Sequence, residues 1–392
     1  MKPTNIFRIN LNTKITALVL LFFLGVSALF GGYMLVSDPS GKSLGMPLEL
    51  LKGTPFIDYL IPGLILFLLI GVSSIIIAFL NIKSTKSFPL FISLQGGILI
   101  IWLTVQLILN NDFFFPALHV PYYSIGVLLV GLGWRLNNLE NSYKKDLEIA
   151  LNATGFTEEI IIQKDLDALP TIIQKYLNYV GALGKPVVKN VKIVFEGVMR
   201  DQGKDWFGFT SEQYNFFDHP TRLFFMKAKI KGLPVNGYHA YNEEQSSMIV
   251  KVLSLFPVVN IKGEELYPTE TVTFFNDLCM FVPTALIDKR IQWESLDTQS
   301  VKATFTNNNT SISAILYFNE TGQLVNFISN DRYSVSKMKA FPFSTPTNNY
   351  KNINGYNLPT YGEAIWHYPE GEFVYGKFQL KSIEYNVVPK IQ

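Results

Sequence analysis

Four apolar runs occupy the first third of the chain, Ile15 to Leu35, Tyr59 to Leu80, Phe88 to Leu109 and about Ala117 to Trp134. A bilayer core of about 30 Å needs about 20 helical residues, which the first three runs supply and the fourth barely reaches. No Asp, Glu, Lys, Arg or His lies well inside any of them except His119, near one end of the fourth. Pumps and proton relays carry their chemistry as ionisable groups within the spans. This bundle therefore reads as an anchor or docking surface rather than a conduit, and a single histidine cannot supply bis-histidine haem ligation. Gln95 and Gln106, eleven residues apart with Gly96 and Gly97 beside the first, predict a helix-helix contact made by small residues and amide hydrogen bonds.

The first run follows Lys2, Arg8 and Lys14 as a signal peptide would, but it is about twenty residues long and three more spans follow. It is expected to remain in the mature protein. Lys and Arg gather on one set of short loops: the N-terminal tail, Lys83 and Lys86, and the exit segment with Arg135, Lys144 and Lys145. The other side offsets Lys42 and Lys52 with Asp38, Glu49 and Asp58, then has Asp112. By the positive-inside rule both the N-terminus and everything after Lys145 are cytoplasmic, in a multi-pass protein of the cell membrane. Phe113, Phe114, Phe115, Tyr122, Tyr123 and Trp134 sit where an aromatic belt belongs. The outer loop and second span, with Thr54, Pro55, Phe56, Asp58, Tyr59, Pro62 and Gly63, resemble an uncharacterised bacterial four-span module.

At Trp134 to Lys145 the apolar pattern gives way to a charged one, and residues 136–165 read as a connector to a soluble domain over 166–392. A short helix is predicted from Pro170 to Gly181 by Leu169, Ile173, Tyr176, Leu177 and Val180 at helical spacing. The period then becomes two. Val191, Ile193 and Phe195 alternate with more polar neighbours, as do Ile312, Ala314, Leu316 and Phe318. Further strands are expected at 206–216, 223–230, 237–242, 248–255, 291–295, 301–306, 325–335, 360–368 and 373–385, joined by hairpin turns into an antiparallel sheet. One helix interrupts them, from Pro268, with Glu270 at its positive end, to Val282 before Pro283. The expected fold is an α-helical transmembrane bundle plus an α+β domain, in which that helix crosses the concave face of a curved sheet.

The motifs Trp206, Phe209, Glu212 and Gln213; Gly232 to Pro234; Phe281 to Leu286; Ser344 to Pro346; and Glu363 and Trp366 resemble an uncharacterised bacterial domain-of-unknown-function family over about 166–389. The architecture is similar to half-barrel lipoprotein carriers, an analogy of fold alone.

Several chemistries are disfavoured. The soluble half is near neutral, without a nucleic-acid footprint. One cysteine, Cys279, permits no intramolecular disulfide and reads as core. No Gly-x-Ser-x-Gly elbow, phosphate loop, cofactor motif or metal-ligand spacing is present, and Glu363 and His367 lie about 13 Å apart at strand rise. The leading hint is Leu223 to Ile230, apolar on both parities, where a one-sided sheet alternates. Either helices cover both faces or an apolar pocket lies between sheet and helix. The expected function is binding of an apolar or lipid-like small molecule, with Trp206, Glu212, Phe224, Met226, Glu264, Phe275, Trp293, Glu363 and Trp366 as cavity candidates. The rivals are an acid-base enzyme using Glu212, Glu264 or Glu363 with a histidine, and a scaffold that recruits a membrane partner.

Overall fold

Lipid offers no partner to a backbone N–H or C=O, so an apolar run of spanning length satisfies its own groups as a helix. The computed structural model has four helices long and apolar enough to cross a membrane: Leu11–Ser37, Leu60–Ile82, Phe88–Leu109 and Pro116–Asn137. The described residues are 5–83, 88–110, 112, 114–155, 157–243, 246–264, 266–334, 337 and 339–389; Lys2, Lys86, Phe113 and Val335 lie outside them. The chain divides into two units, Met1–Asn141 and Ser142–Gln392.

In the first unit the third and fourth apolar helices pack closely because glycine faces glycine. A Cβ at Gly96 would stand 2.5 Å from the Gly126 carbonyl oxygen and 2.9 Å from the Val130 nitrogen. Gln95 is buried beside this contact and faces the second span, where Leu66–Val72 is a π-helical stretch. Such a stretch frees carbonyls from the regular ladder. Gln95 Nε2 donates to the Leu69 carbonyl at 3.3 Å, and the Ser73 hydroxyl donates to Gln95 Oε1 at 2.8 Å. The amide thus satisfies carbonyls that the regular ladder leaves open. Gln106, its expected companion, is only half-buried.

In the second unit the Pro170 helix spans Thr171–Val180 and stops at Gly181, whose φ of 76° is open to glycine at little steric cost. Six strands then run as a meander: β1 (Asn190–Met199), β2 (Phe207–Phe216), β3 (Thr221–Ile230), β4 (Leu233–Tyr241), β5 (Ser246–Val252) and β6 (Phe256–Lys262). After the Leu266–Phe281 helix come β7 (Ile291–Ser295), β8 (Ser300–Asn307), β9 (Thr310–Phe318) and β10 (Leu324–Ser329). A small ribbon, β11 (Tyr333–Ser334) with β12 (Lys339–Ala340), precedes β13 (Phe343–Ser344), β14 (Thr347–Ile353), β15 (Tyr356–Tyr368) and β16 (Gly371–Tyr385).

The sheet order is β6-β5-β4-β3-β2-β1-β16-β15-β13-β10-β9-β8-β7, antiparallel throughout, with β14 paired to β15. β6 and β7, successive in the chain, are opposite ends of that order. The Leu266–Phe281 segment must therefore cross the sheet, and as a helix it fills the curl of a half-barrel. Register shifts at Val194/Phe195, Ala364/Ile365 and Val250/Lys251 mark bulges, which bend strands and strengthen twist. Gly197 sits in the bend of β1, where a Cβ would stand 2.8 Å from the Phe209 ring.

Beneath the helix the core is aromatic: Phe275 stacks on Phe305 at 5.2 Å and lies against Phe327 at 5.9 Å. Burial pushes the Cys279 thiol well above its usual range. On the other face of β3, the Tyr143 ring stacks on Phe225 at 5.3 Å and its hydroxyl donates to Glu212 at 2.8 Å. Tyr143 belongs to the Leu139–Ala153 helix, the ordered form of the expected connector. Both explanations of the two-sided apolar pattern therefore hold at once: a helical residue covers one face of β3 and a cavity lies along the other.

Candidate functional site

Alternation along β3 turns Arg222, Phe224 and Met226 inward and leaves Leu223 and Phe225 on the opposite face. The inward side chains, with Met248, Val250 and Ile261 from β5 and β6 and Met280 from the helix, line a cavity of about 770 Å³ between sheet and helix. That volume lies within the range of pockets that bury most of a small ligand. Its wall is mainly apolar, and four methionines, Met199, Met226, Met248 and Met280, give it side chains that can adapt to an irregular guest.

One region of the wall is ionic. Arg222 donates from Nε to Asp277 at 2.8 Å, and from its terminal nitrogens to Glu270 at 3.2 Å and Gln213 at 3.3 Å. Gln213 and Asn215 also donate to Asp277, at 2.9 and 3.1 Å, and His239 Nδ1 lies 3.1 Å from Glu270. Arg222, Glu270 and Asp277 are all buried. Burial alone would push the Glu270 carboxyl up; the His239 hydrogen bond and the His239, Arg222 and Arg332 charges outweigh it and hold it at about 2. Burial likewise disfavours the Arg222 cation, and the Asp277 and Glu270 charges restore it. The cluster is a fixed polar pole in a mainly apolar chamber.

Four of the nine cavity candidates are placed in this wall: Phe224, Met226, Glu363 and Trp366. The other five stand elsewhere. Trp206 lies in contact with Arg200, whose guanidinium sits 4.3 Å from its ring. Glu212 follows the parity opposite to Gln213, so it faces away from the cavity and pairs with Tyr143 and with Lys192 at 3.1 Å. Glu264 is exposed in the turn before the helix. Phe275 is core, and Trp293 is half-buried on the edge strand β7. Glu270, expected at the helix's positive end, is instead buried in the ion cluster.

The convergence required of an acid-base enzyme built on Glu212, Glu264 and Glu363 is not met, because only Glu363 lines the cavity. Its carboxylate accepts from Tyr361 at 2.6 Å and lies 3.6 Å from the Lys377 ammonium. A hydrolytic ordering does occur among Ser344, His367 and Glu372: Ser344 Oγ is 2.8 Å from His367 Nε2, and His367 Nδ1 is 3.3 Å from Glu372. However, Phe343 and Thr345 line the cavity, so the intervening Ser344 points to the other face, where it is 2 % exposed. A nucleophile sealed in this way has no room for a substrate.

Residues 159–378, more than half of the chain, match a family of unknown function, DUF6544. The chain belongs to that family. No curated protein matches it. Among solved structures it is similar to a domain described as an outer membrane lipoprotein-sorting protein from Vibrio parahaemolyticus, at 9% identity and a TM-score of 0.31 over 50% of this chain and 85% of that one. It is also similar to a LolA superfamily protein from Nitrosomonas europaea, at 12% identity and a TM-score of 0.27 over 56% and 94%. Likenesses of that extent carry no functional conclusion, which rests instead on the cavity.

Proposed function

We propose that this chain is an integral membrane protein whose Ser142–Gln392 unit holds the apolar tail of an amphiphilic small molecule. The observation that carries the reading is the cavity of about 770 Å³, apolar along β3, β5 and β6 and with a buried ionic cluster of Arg222, Glu270 and Asp277 in its wall. Extended apolar wall favours a hydrocarbon chain, and a few fixed polar groups orient one. Four helices of spanning length support the membrane assignment, and the bilayer is a ready source of such molecules. The Lys and Arg distribution supports a cytoplasmic soluble unit, so the ligand comes from the inner leaflet.

The test uses the full chain in lipid nanodiscs with a long-chain alcohol that carries a diazirine in its tail. After irradiation, cross-linked peptides from β3, β5 and the Leu266–Phe281 helix are expected. Cross-links confined to the four apolar spans would refute tail binding in the cavity.

A further inference from the structure

Arg332 lines the cavity, and its guanidinium is unlike the others near it. Arg222 is bonded to three side chains, and Arg200 donates to the Val374 carbonyl at 3.0 Å. The Arg332 guanidinium makes no hydrogen bond or ion pair among the described residues, and its Nε is buried without a partner. What holds it is aromatic: its Cζ stands 3.8 Å from the Phe343 ring centroid, 5.1 Å from Trp366 and 5.7 Å from Tyr375. Stacking of this kind occupies the face of a guanidinium and leaves its five in-plane donors unspent.

Arg332 as a whole is half-buried, but its Nε–H is sealed from solvent, and a buried donor is costly unless something accepts from it. Of the carboxylates that line the cavity, Glu270 is committed to Arg222 and His239, Asp277 to Arg222, Gln213 and Asn215, and Glu363 to Tyr361 and Lys377. The acceptor for the Nε–H must then come from outside the described residues. In-plane guanidinium donors match the paired oxygens of a carboxylate or a phosphate, which they take as two parallel bonds.

We propose that Arg332 is the head-group anchor of the cavity, and that the ligand is an amphiphile with an anionic head, a carboxylate or a phosphate ester. This rests on the reading of the cavity as a tail-binding site. Phe343, Trp366 and Tyr375 hold the guanidinium in place before the ligand arrives, so little side-chain freedom is lost on binding. The apolar wall around Phe224, Met226 and Val250 receives the tail.

The experiment compares three diazirine probes with the same sixteen-carbon tail, an alcohol, a carboxylic acid and a monophosphate ester, on the full chain in nanodiscs. Cavity cross-links are expected to be about tenfold stronger for at least one anionic probe than for the alcohol, the scale of a charge-assisted hydrogen bond. Preference for the acid alone points to a fatty-acid source and for the phosphate alone to a phospholipid source; either supports the anchor. In Arg332→Met the anionic preference should collapse to the alcohol's level while alcohol labelling persists, which also reports that the cavity is intact. Arg332→Lys, which keeps charge without the planar fork, should retain only part of it. Equal labelling by all three probes in the wild type would overturn the anchor and leave tail binding standing. No cavity labelling by any probe would overturn both.

Discussion

Replacing Glu270 by Gln removes one charge from the ionic pole while nearly preserving its shape. In the wild type one carboxylate oxygen lies 3.2 Å from an Arg222 nitrogen and the other 3.1 Å from His239, with a side chain 6% exposed. The folded carboxyl is held at about 2 against an ordinary 4.5. At roughly 1.4 kcal/mol per pH unit, that displacement is worth about 3 kcal/mol. Because the folded value is the lower one, this stability is fully present above pH 4.5 and is lost as pH falls toward 2. Denaturant unfolding of the full chain in mild detergent, followed by tryptophan fluorescence, should therefore find Glu270→Gln less stable by about 3 kcal/mol at pH 7. In thermal unfolding the same loss is a drop of about 6–12 °C for a unit of this size. The gap should remain at pH 4.5 and shrink below about 1 kcal/mol by pH 2.5, where the unfolded carboxyl is almost fully protonated and the folded one is starting to take up its proton. A gap of constant size from pH 7 to pH 2.5 would show that shape rather than charge is responsible. A gap under about 1 kcal/mol at pH 7 would refute the ion cluster as a stabilised unit.

Three further outcomes follow from the packing. Tyr143→Phe removes the hydrogen bond to Glu212 but keeps the stack on Phe225, so unfolding of the full chain should show a loss of about 1 kcal/mol, whereas Tyr143→Ala should cost several times that. Gln95→Leu leaves the π-helical carbonyl of Leu69 without its amide donor, and titration into a denaturing detergent should show the bundle weakened by about 1 kcal/mol. Cys279, buried and with its thiol pushed up, should resist a maleimide in the native protein and react only as the fold opens.

The four long apolar helices, the antiparallel sheet and the helix across its concave face were legible because each leaves a trace in the hydrophobic pattern, an unbroken run or a period. Phe224 and Met226 were legible as cavity wall because their parity on β3 breaks the one-sided rule. The edge strand β6 and the outlying β14 were not expected as strands. The first opens with Phe256 and Pro257 and stays largely exposed, and the second, Thr347–Ile353, is mostly polar, so neither shows a buried alternation. The ionic pole was missed for a different reason. Arg222 and Asp277 are 55 residues apart and Arg222 and Glu270 are 48 apart, and pairing at that range leaves no local pattern. A signal did exist: Arg222 shares the parity of Phe224 and Met226, and a charge on the buried side of a strand requires a partner. Asp277 and Glu270, seven residues apart and so on one face of a largely buried helix, pose the same demand. Glu212 was assigned to the cavity on motif membership, although its parity opposite to Gln213 turns it away. Glu264 carried only motif membership as well, and the turn before the helix leaves it in solvent.

Native mass spectrometry of the full chain, stripped of detergent in the gas phase, measures cavity occupancy directly. The comparison is with Val250→Trp, which fills the cavity from β5 without touching the four spans. If the cavity holds an amphiphile, the wild type retains one lipid-sized adduct per chain that Val250→Trp lacks, while weaker adducts common to both report the spans. Identical adducts on the two proteins, with Val250→Trp folded, would contradict the account.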